Sequence, residues 1–194
     1  MRHLLTTKEF NKEELLALIQ LGRDMKANPA AFRTSLAGKS VVTLFEKPSL
    51  RTRVTFDIGI HRLGGHAVYL DQQNGAMGSR ETVKDFAGNL SRWCEGIVAR
   101  VYDHKTLLEL RQHATVPVIN SLCNLYHPCQ ALADAGALFL ELGQGDVDVL
   151  LGEVVDRQVL DDGVLAVLGD HREAEHHAFR NAVGAVGRNA HGHP

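Results

Sequence analysis

From residue 40 onward, short β-branched apolar runs alternate with amphipathic stretches, and this rhythm constrains the fold more than any other feature of the chain. Ser40-Val41-Val42-Thr43-Leu44-Phe45 reads as a buried parallel strand. A helical pattern follows from about Leu50 to Leu63 and stops at Gly64-Gly65. The series continues with a strand at His66–Leu70, a helix over Glu81–Trp93 and a strand at Gly96–Tyr102. A helix over Thr106–His113, a strand at Val116–Asn120 and a helix from His127 to about Leu142 complete it. Such a series implies right-handed crossovers, hence an α/β fold: a parallel β-sheet flanked by helices. Ligands of such sheets bind beyond the carboxyl ends of the strands.

An additional helix is expected before the first strand, from about Lys8 to Met25, because Leu15, Leu18, Ile19 and Leu21 recur at helical spacing. Thr6 or Thr7 is its expected N-cap, with Glu9 completing a capping box, and Asn28-Pro29 ends it. The 194 residues, 44% of them hydrophobic and 23% charged, suit a globular protein of one domain and a fraction of a second. A net charge of -2 gives no basic field for nucleic acid or anionic membrane. There is no apolar run of the ~20 residues that span a bilayer. The charged residues Lys8 and Glu9 interrupt any secretory signal. Three widely spaced cysteines, Cys94, Cys123 and Cys129, read as reduced thiols, which points to the cytoplasm.

Chemistry concentrates at Phe45-Glu46-Lys47-Pro48-Ser49-Leu50-Arg51-Thr52-Arg53, between the first strand and its helix. Cations in the first turn of a helix are unfavourable by roughly 0.3–1 kcal/mol each. Arg51 and Arg53 nevertheless sit there beside free backbone N–H groups and the Ser49 and Thr52 hydroxyls, with Glu46 the one acid nearby. A bound phosphate would account for the arrangement. Otherwise Ser49 is a plain N-cap and the arginines are solvated. A second junction, His127-Pro128-Cys129-Gln130, fits a proline at the first helical position. There an imidazole and an amide either polarise a carbonyl and hold an NH₂ group, or Gln130 closes a capping box. Arg100, at the end of the third strand, lies on the same rim and could instead pair with Asp103. Arg80 and Lys84 are read as a solvated helix start.

Together these stretches resemble the carbamoyl-phosphate-binding half of the aspartate/ornithine carbamoyltransferase family. The Ser-x-Arg-Thr-Arg motif is Ser49–Arg53 and the His-Pro-x-Gln motif is His127–Gln130. The flanks Phe45-Glu46-Lys47, Gly64-Gly65 and Ala131-Leu132-Ala133-Asp134 most resemble ornithine enzymes. The resemblance implies that Ser49, Leu50, Arg51 and Thr52 bind the phosphate of carbamoyl phosphate. Arg100 would reach both phosphate and carbonyl oxygen, His127 the carbonyl oxygen and Gln130 the carbamoyl amide, while Arg53 supports the loop. These residues would promote transfer of the carbamoyl group to ornithine, giving citrulline and phosphate in arginine biosynthesis, with no cofactor and no metal. The family resemblance further implies a homotrimer in which the loop around Gly75–Arg80 enters a neighbour's site. Where many relatives carry a phosphate-binding glutamine in that loop, this chain has Ala76.

The resemblance covers residues 1–135, expected to form the carbamoyl-phosphate-binding domain, whereas 136–194 is expected to be an atypical tail. Neither the Asp-x-x-x-Ser-Met-Gly nor the His-Cys-Leu-Pro stretch of the family's acceptor domain occurs in this sequence, so the second domain is expected to be largely missing and the ornithine site incomplete. From Leu122 onward there is no serine or threonine, which points to an altered reading frame or a truncated gene. Within this tail, Val147–Leu151 and Val164–Leu168 read as strands and His171–Phe179 as a short helix. A non-catalytic module that binds carbamoyl phosphate, or joins full-length partners through the trimer face, is the alternative. Aspartate or N-acetylornithine as acceptor is a variant of the enzyme reading. The imidazoles of His171, His176, His177, His191 and His193 could take up a transition metal, but adjacent and terminal histidines favour adventitious binding or none.

Overall fold

The computed structural model describes residues 2–71 and 81–142, with side chains through residue 137. The loop around Gly75–Arg80, with Ala76, and everything expected of residues 143–194, including the histidine group, lie outside the described residues.

The expected alternation is present. In chain order the elements are α1 (Lys12–Ala27), β1 (Ser40–Phe45), α2 (Leu50–Arg62), β2 (His66–Asp71) and α3 (Val83–Trp93). Then come β3 (Gly96–Arg100), α4 (His104–His113), β4 (Val118–Leu122) and α5 (Pro128–Leu142). All described strands are parallel, in the order β2-β1-β3-β4. The chain steps from β1 outward to β2, then crosses back over β1 to reach β3. With right-handed crossovers that reversal puts α2 on one face and α3 and α4 on the other. Accordingly α2 packs on β1 and β2, while α3 packs on α4. The reversal opens a crevice between the carboxyl ends of β1 and β3, where the loops leave toward opposite faces.

The main core fills the α3/α4 face. Val42 and Leu44 of β1, Ile97 and Ala99 of β3 and Val118 of β4 meet Val83, Ala87 and Leu90 of α3 and Leu107 and Leu110 of α4. A smaller cluster joins α1 to α5 through Leu15, Ile19 and Ala135. The N-terminal segment reaches the sheet as well. Leu4 forms a parallel bridge to Ile119, its N–H donating to Val118 O at 2.9 Å and its carbonyl accepting from Asn120 N at 2.8 Å.

Several boundaries differ from the sequence expectation, each for a local reason. The first helix is split: Thr6 caps a short 3₁₀ turn, Thr7–Glu9, and α1 begins only after Asn11. Asn11 and Glu14 form the capping box, with side-chain oxygens accepting from each other's backbone N–H at 2.9 Å. Glu9 does not close the expected box. Its carboxylate accepts from Leu5 N and pairs with Arg111 of α4. Strand β4 lies two residues later than expected because Pro117 has no N–H to pair; its carbonyl still accepts from Ile97 N at 2.9 Å. Strand β3 stops at Arg100, and α3 and α4 start at the caps Thr82 and Asp103. The expected stop after α2 is sharp. Gly64 has φ +84°, and a Cβ there would lie 2.4 Å from Arg33 O, so both the backbone conformation and the space require glycine.

Candidate functional site

The switch-point crevice is lined by three chain segments that the strand register brings side by side. Phe45 pairs with Arg100 and Arg100 with Leu122, so the loop to α2, the end of β3 and the loop to α5 share one rim. Opposite Arg100 the register slips, leaving Ser121 as an extra residue in β4. Such bulges re-aim side chains at sheet rims.

The tip of α2 carries the first part of the site. Ser49 holds the N-cap position, but its side chain makes no capping hydrogen bond, so it is not the plain N-cap that was the alternative. The first turn contains no acid. Four N–H groups at a helix start lack intrahelical partners, and no acid within this first turn offsets their partial positive charge. Leu50 is 79% exposed at this tip, so what it can offer a ligand is its backbone N–H. Arg51 is exposed and makes no ion pair among the described residues. Arg53 is differently placed: its guanidinium stacks on the Tyr69 ring at 3.6 Å and its Nε lies 3.7 Å from Asp57 Oδ2. Arg53 thus braces α2 against β2.

Arg100 is the second cation at the tip. It does not pair with Asp103, whose carboxylate caps α4 by accepting from Lys105 N at 3.0 Å. Instead Arg100 Nη1 donates to Thr52 Oγ1 at 3.4 Å. Among the described residues its Nε is buried without a partner, and burial lowers its pKa. An arginine remains charged regardless. A half-buried guanidinium with no carboxylate is costly unless an anion arrives to pair with it.

His127 completes the cationic side without adding charge. Burial first, then the nearby Arg100 charge, push its imidazole down to about 4, so it is neutral at pH 7. Its Nδ1 is buried and has no partner among the described residues. A neutral imidazole donates from one nitrogen only, which suits a carbonyl oxygen rather than a second anionic contact. The backbone at this junction is fixed from below. Asn120 Nδ2 donates to Tyr126 O at 3.2 Å and to Leu5 O at 2.9 Å, and Cys123 Sγ accepts from Tyr126 N at 3.2 Å. Cys129 turns inward, donating to Asn120 O at 3.4 Å, and burial pushes its thiol up to about 12. It is a protonated packing group, not a nucleophile.

Gln130 lies in the first turn of α5 but does not close a capping box. Its Nε2 donates to Asp134 Oδ1 at 2.8 Å, one turn further along the helix. Glu46, expected as an acidic neighbour of the arginines, sews the crevice together. Its N–H donates to Arg100 O at 2.8 Å and its Oε2 accepts from Tyr102 N at 2.8 Å. Lys47 Nζ sits over the Tyr102 ring at 5.0 Å. Among the described residues no group of three histidine, cysteine or acidic side chains could hold a metal ion. No described helix is long and apolar enough to cross a membrane.

Sequence reasoning located the motif residues but not Asn120, Cys123 or the Glu46 and Asp134 bonds. Asn120 carries a usable signal, being a polar residue at an inward strand position. The spacing of four between Gln130 and Asp134 is another.

Comparison with known proteins agrees with this geometry. Residues 2–138 match the family model described as aspartate/ornithine carbamoyltransferase, carbamoyl-P binding domain. The chain is 63% identical over 149 residues to the ornithine carbamoyltransferase of Vibrio sp. (strain 2693), covering 77% of this chain and 48% of that protein. Among solved structures, ornithine carbamoyltransferase from Thermus thermophilus superposes with a TM-score of 0.68 at 47% identity, over 73% of this chain and 49% of that one. The Pyrococcus furiosus enzyme gives 0.71 at 41% identity, over 74% and 46%. The chain therefore spans about half the length of the relatives it matches. By family model, sequence and fold alike, this chain belongs to the aspartate/ornithine carbamoyltransferases, through their carbamoyl-phosphate-binding domain.

Proposed function

We propose that the crevice binds carbamoyl phosphate and that the chain descends from an enzyme transferring its carbamoyl group to the side-chain amine of ornithine. The observation that carries this reading is Arg100, a half-buried cation that has no carboxylate partner among the described residues, bonded to Thr52 at an α2 tip whose first turn lacks any acid. In the proposed site Ser49, Leu50, Arg51 and Thr52 hold the phosphate through hydroxyls, backbone N–H groups and the Arg51 guanidinium. Arg100 bridges phosphate and carbonyl oxygen, His127 donates to that oxygen, and Gln130 receives the carbamoyl NH₂.

In the transfer, an uncharged ornithine amine attacks the carbamoyl carbon, the carbon–oxygen bond to phosphate breaks, and the amine's proton passes to the departing phosphate. Fixed donors around the carbonyl and phosphate oxygens stabilise the charge that grows there, which is electrostatic preorganisation. No covalent intermediate, cofactor or metal is invoked. Holding both reactants in register is worth up to ~7–11 kcal/mol of barrier. This sequence has neither of the acceptor-binding stretches named above. The 194-residue chain alone should therefore bind carbamoyl phosphate but make citrulline very slowly. Residues 1–135 would be the binding domain, 136–194 an atypical tail, and the assembly a homotrimer of cytoplasmic chains.

Titration calorimetry with carbamoyl phosphate tests the binding step. Arg51→Gln should weaken it at least about tenfold, the scale of a charge-assisted contact; unchanged affinity overturns the reading. A non-catalytic module that binds carbamoyl phosphate without turnover of its own is the second reading. Ornithine-dependent phosphate release at ordinary enzymatic rates would exclude it.

A further inference from the structure

We propose that Asp134 is a specificity-determining positioning residue: by accepting the Gln130 amide N–H it fixes which end of that amide faces the crevice. This assignment rests on carbamoyl phosphate being the occupant of the site. Gln130 Nε2 donates to Asp134 Oδ1 at 2.8 Å, in a half-buried setting. A carboxylate offers only acceptors, so the amide nitrogen is the end that must face it. Gln130 Oε1 is thereby turned away from Asp134 and left free to accept.

The chemistry of the occupant makes this orientation matter. The two ends of a glutamine amide are nearly identical in shape, and only hydrogen bonding decides which points where. A carbamoyl group presents an NH₂, which is purely a donor and needs an acceptor. A flipped Gln130 would set NH₂ against NH₂, leaving both unsatisfied. Among the described residues Asp134 forms no ion pair and caps no helix, and Gln130 is its hydrogen-bond partner. A half-buried carboxylate serving one amide is well explained as an orienting group.

The orientation should select carbamoyl phosphate over acetyl phosphate, which has the same shape with a methyl in place of NH₂. Calorimetry on the full chain with carbamoyl phosphate, acetyl phosphate and inorganic phosphate reads this directly. The wild-type chain is expected to prefer carbamoyl to acetyl phosphate by about tenfold, the size of one well-placed hydrogen bond. Asp134→Asn, which can donate as well as accept, should erase most of the preference while inorganic phosphate binds as before. Gln130→Ala should bring carbamoyl phosphate down to the acetyl phosphate affinity, and adding Asp134→Asn to it should change nothing further. A preference that survives either single substitution overturns the proposal, as does a wild-type chain that binds the two acyl phosphates equally. So does loss of inorganic phosphate binding in Asp134→Asn, which would mark a role in folding. A wild-type chain that binds none of the three removes the site reading itself.

Discussion

Arg100 and His127 show how charge in the crevice is arranged for a visitor. Replacing Arg100 by methionine should leave the melting temperature unchanged or higher, since it removes a half-buried cation with no carboxylate partner among the described residues. The same change should cost at least about tenfold in affinity for phosphate-type anions. A structural arginine would behave in the opposite way, losing stability and keeping affinity. His127 makes a separate prediction. Its imidazole titrates at about 4 when folded, against an ordinary 6.5, so the unfolded chain takes up a proton that the folded one refuses. Stability from this group is complete above about pH 6.5 and is lost as pH falls toward 4. His3 and His104, also lowered by burial, act in the same direction. Denaturant unfolding between pH 7 and 4 should show the decline, with His127 contributing on the order of 2 kcal/mol after allowance for its partial exposure. His127→Gln should flatten the curve. Glu14, held at about 2 by Arg2, loses its contribution between about pH 4.5 and 2, so the two effects overlap only near the end of the His127 window.

At the scale of elements, the crevice depends on straps between loops more than on the loops themselves. Glu46→Ala removes the acceptor for Tyr102 N and loosens the α2 tip against Arg100. It should weaken anion binding several-fold, and Glu46→Gln should restore most of it because an amide oxygen accepts the same bond. Gly64→Ala tests the turn after α2. A Cβ would meet Arg33 O at 2.4 Å in a left-handed conformation, and the chain should lose ~2 kcal/mol or more. The sequence made the helices and strands legible because their apolar periodicities differ, and Ser40–Phe45 could be read to the residue. Starts and stops were less legible. Thr6 and Asn11 both qualify as caps by type, and only the tertiary use of Glu9 by Arg111 and Leu5 decides between them. The candidate site divides in the same way. Ser49–Arg53 and His127–Gln130 stand out as motifs, whereas the partners of Arg100, Glu46 and Gln130 depend on register and rotamer, which no spacing encodes.

For the molecule as a whole, alternation alone implied a parallel α/β sheet, but not the reversal between β1 and β3 that creates the crevice. Strand order is settled by packing across the sheet, beyond the reach of local pattern. The N-terminal segment was equally hidden. Its bridge between Leu4 and Ile119 joins positions far apart in the chain, and nothing near Leu4 in the sequence announces it. Replacing Leu4 by proline deletes the N–H that bonds Val118 O and should speed hydrogen exchange along β4. The timing of synthesis is affected as well. The residues around Leu4 leave the ribosome long before β4, and they cannot find their place until that strand has emerged. Until then they are a loose thread within reach of any protease or chaperone, and their capture is the stitch that finishes this sheet.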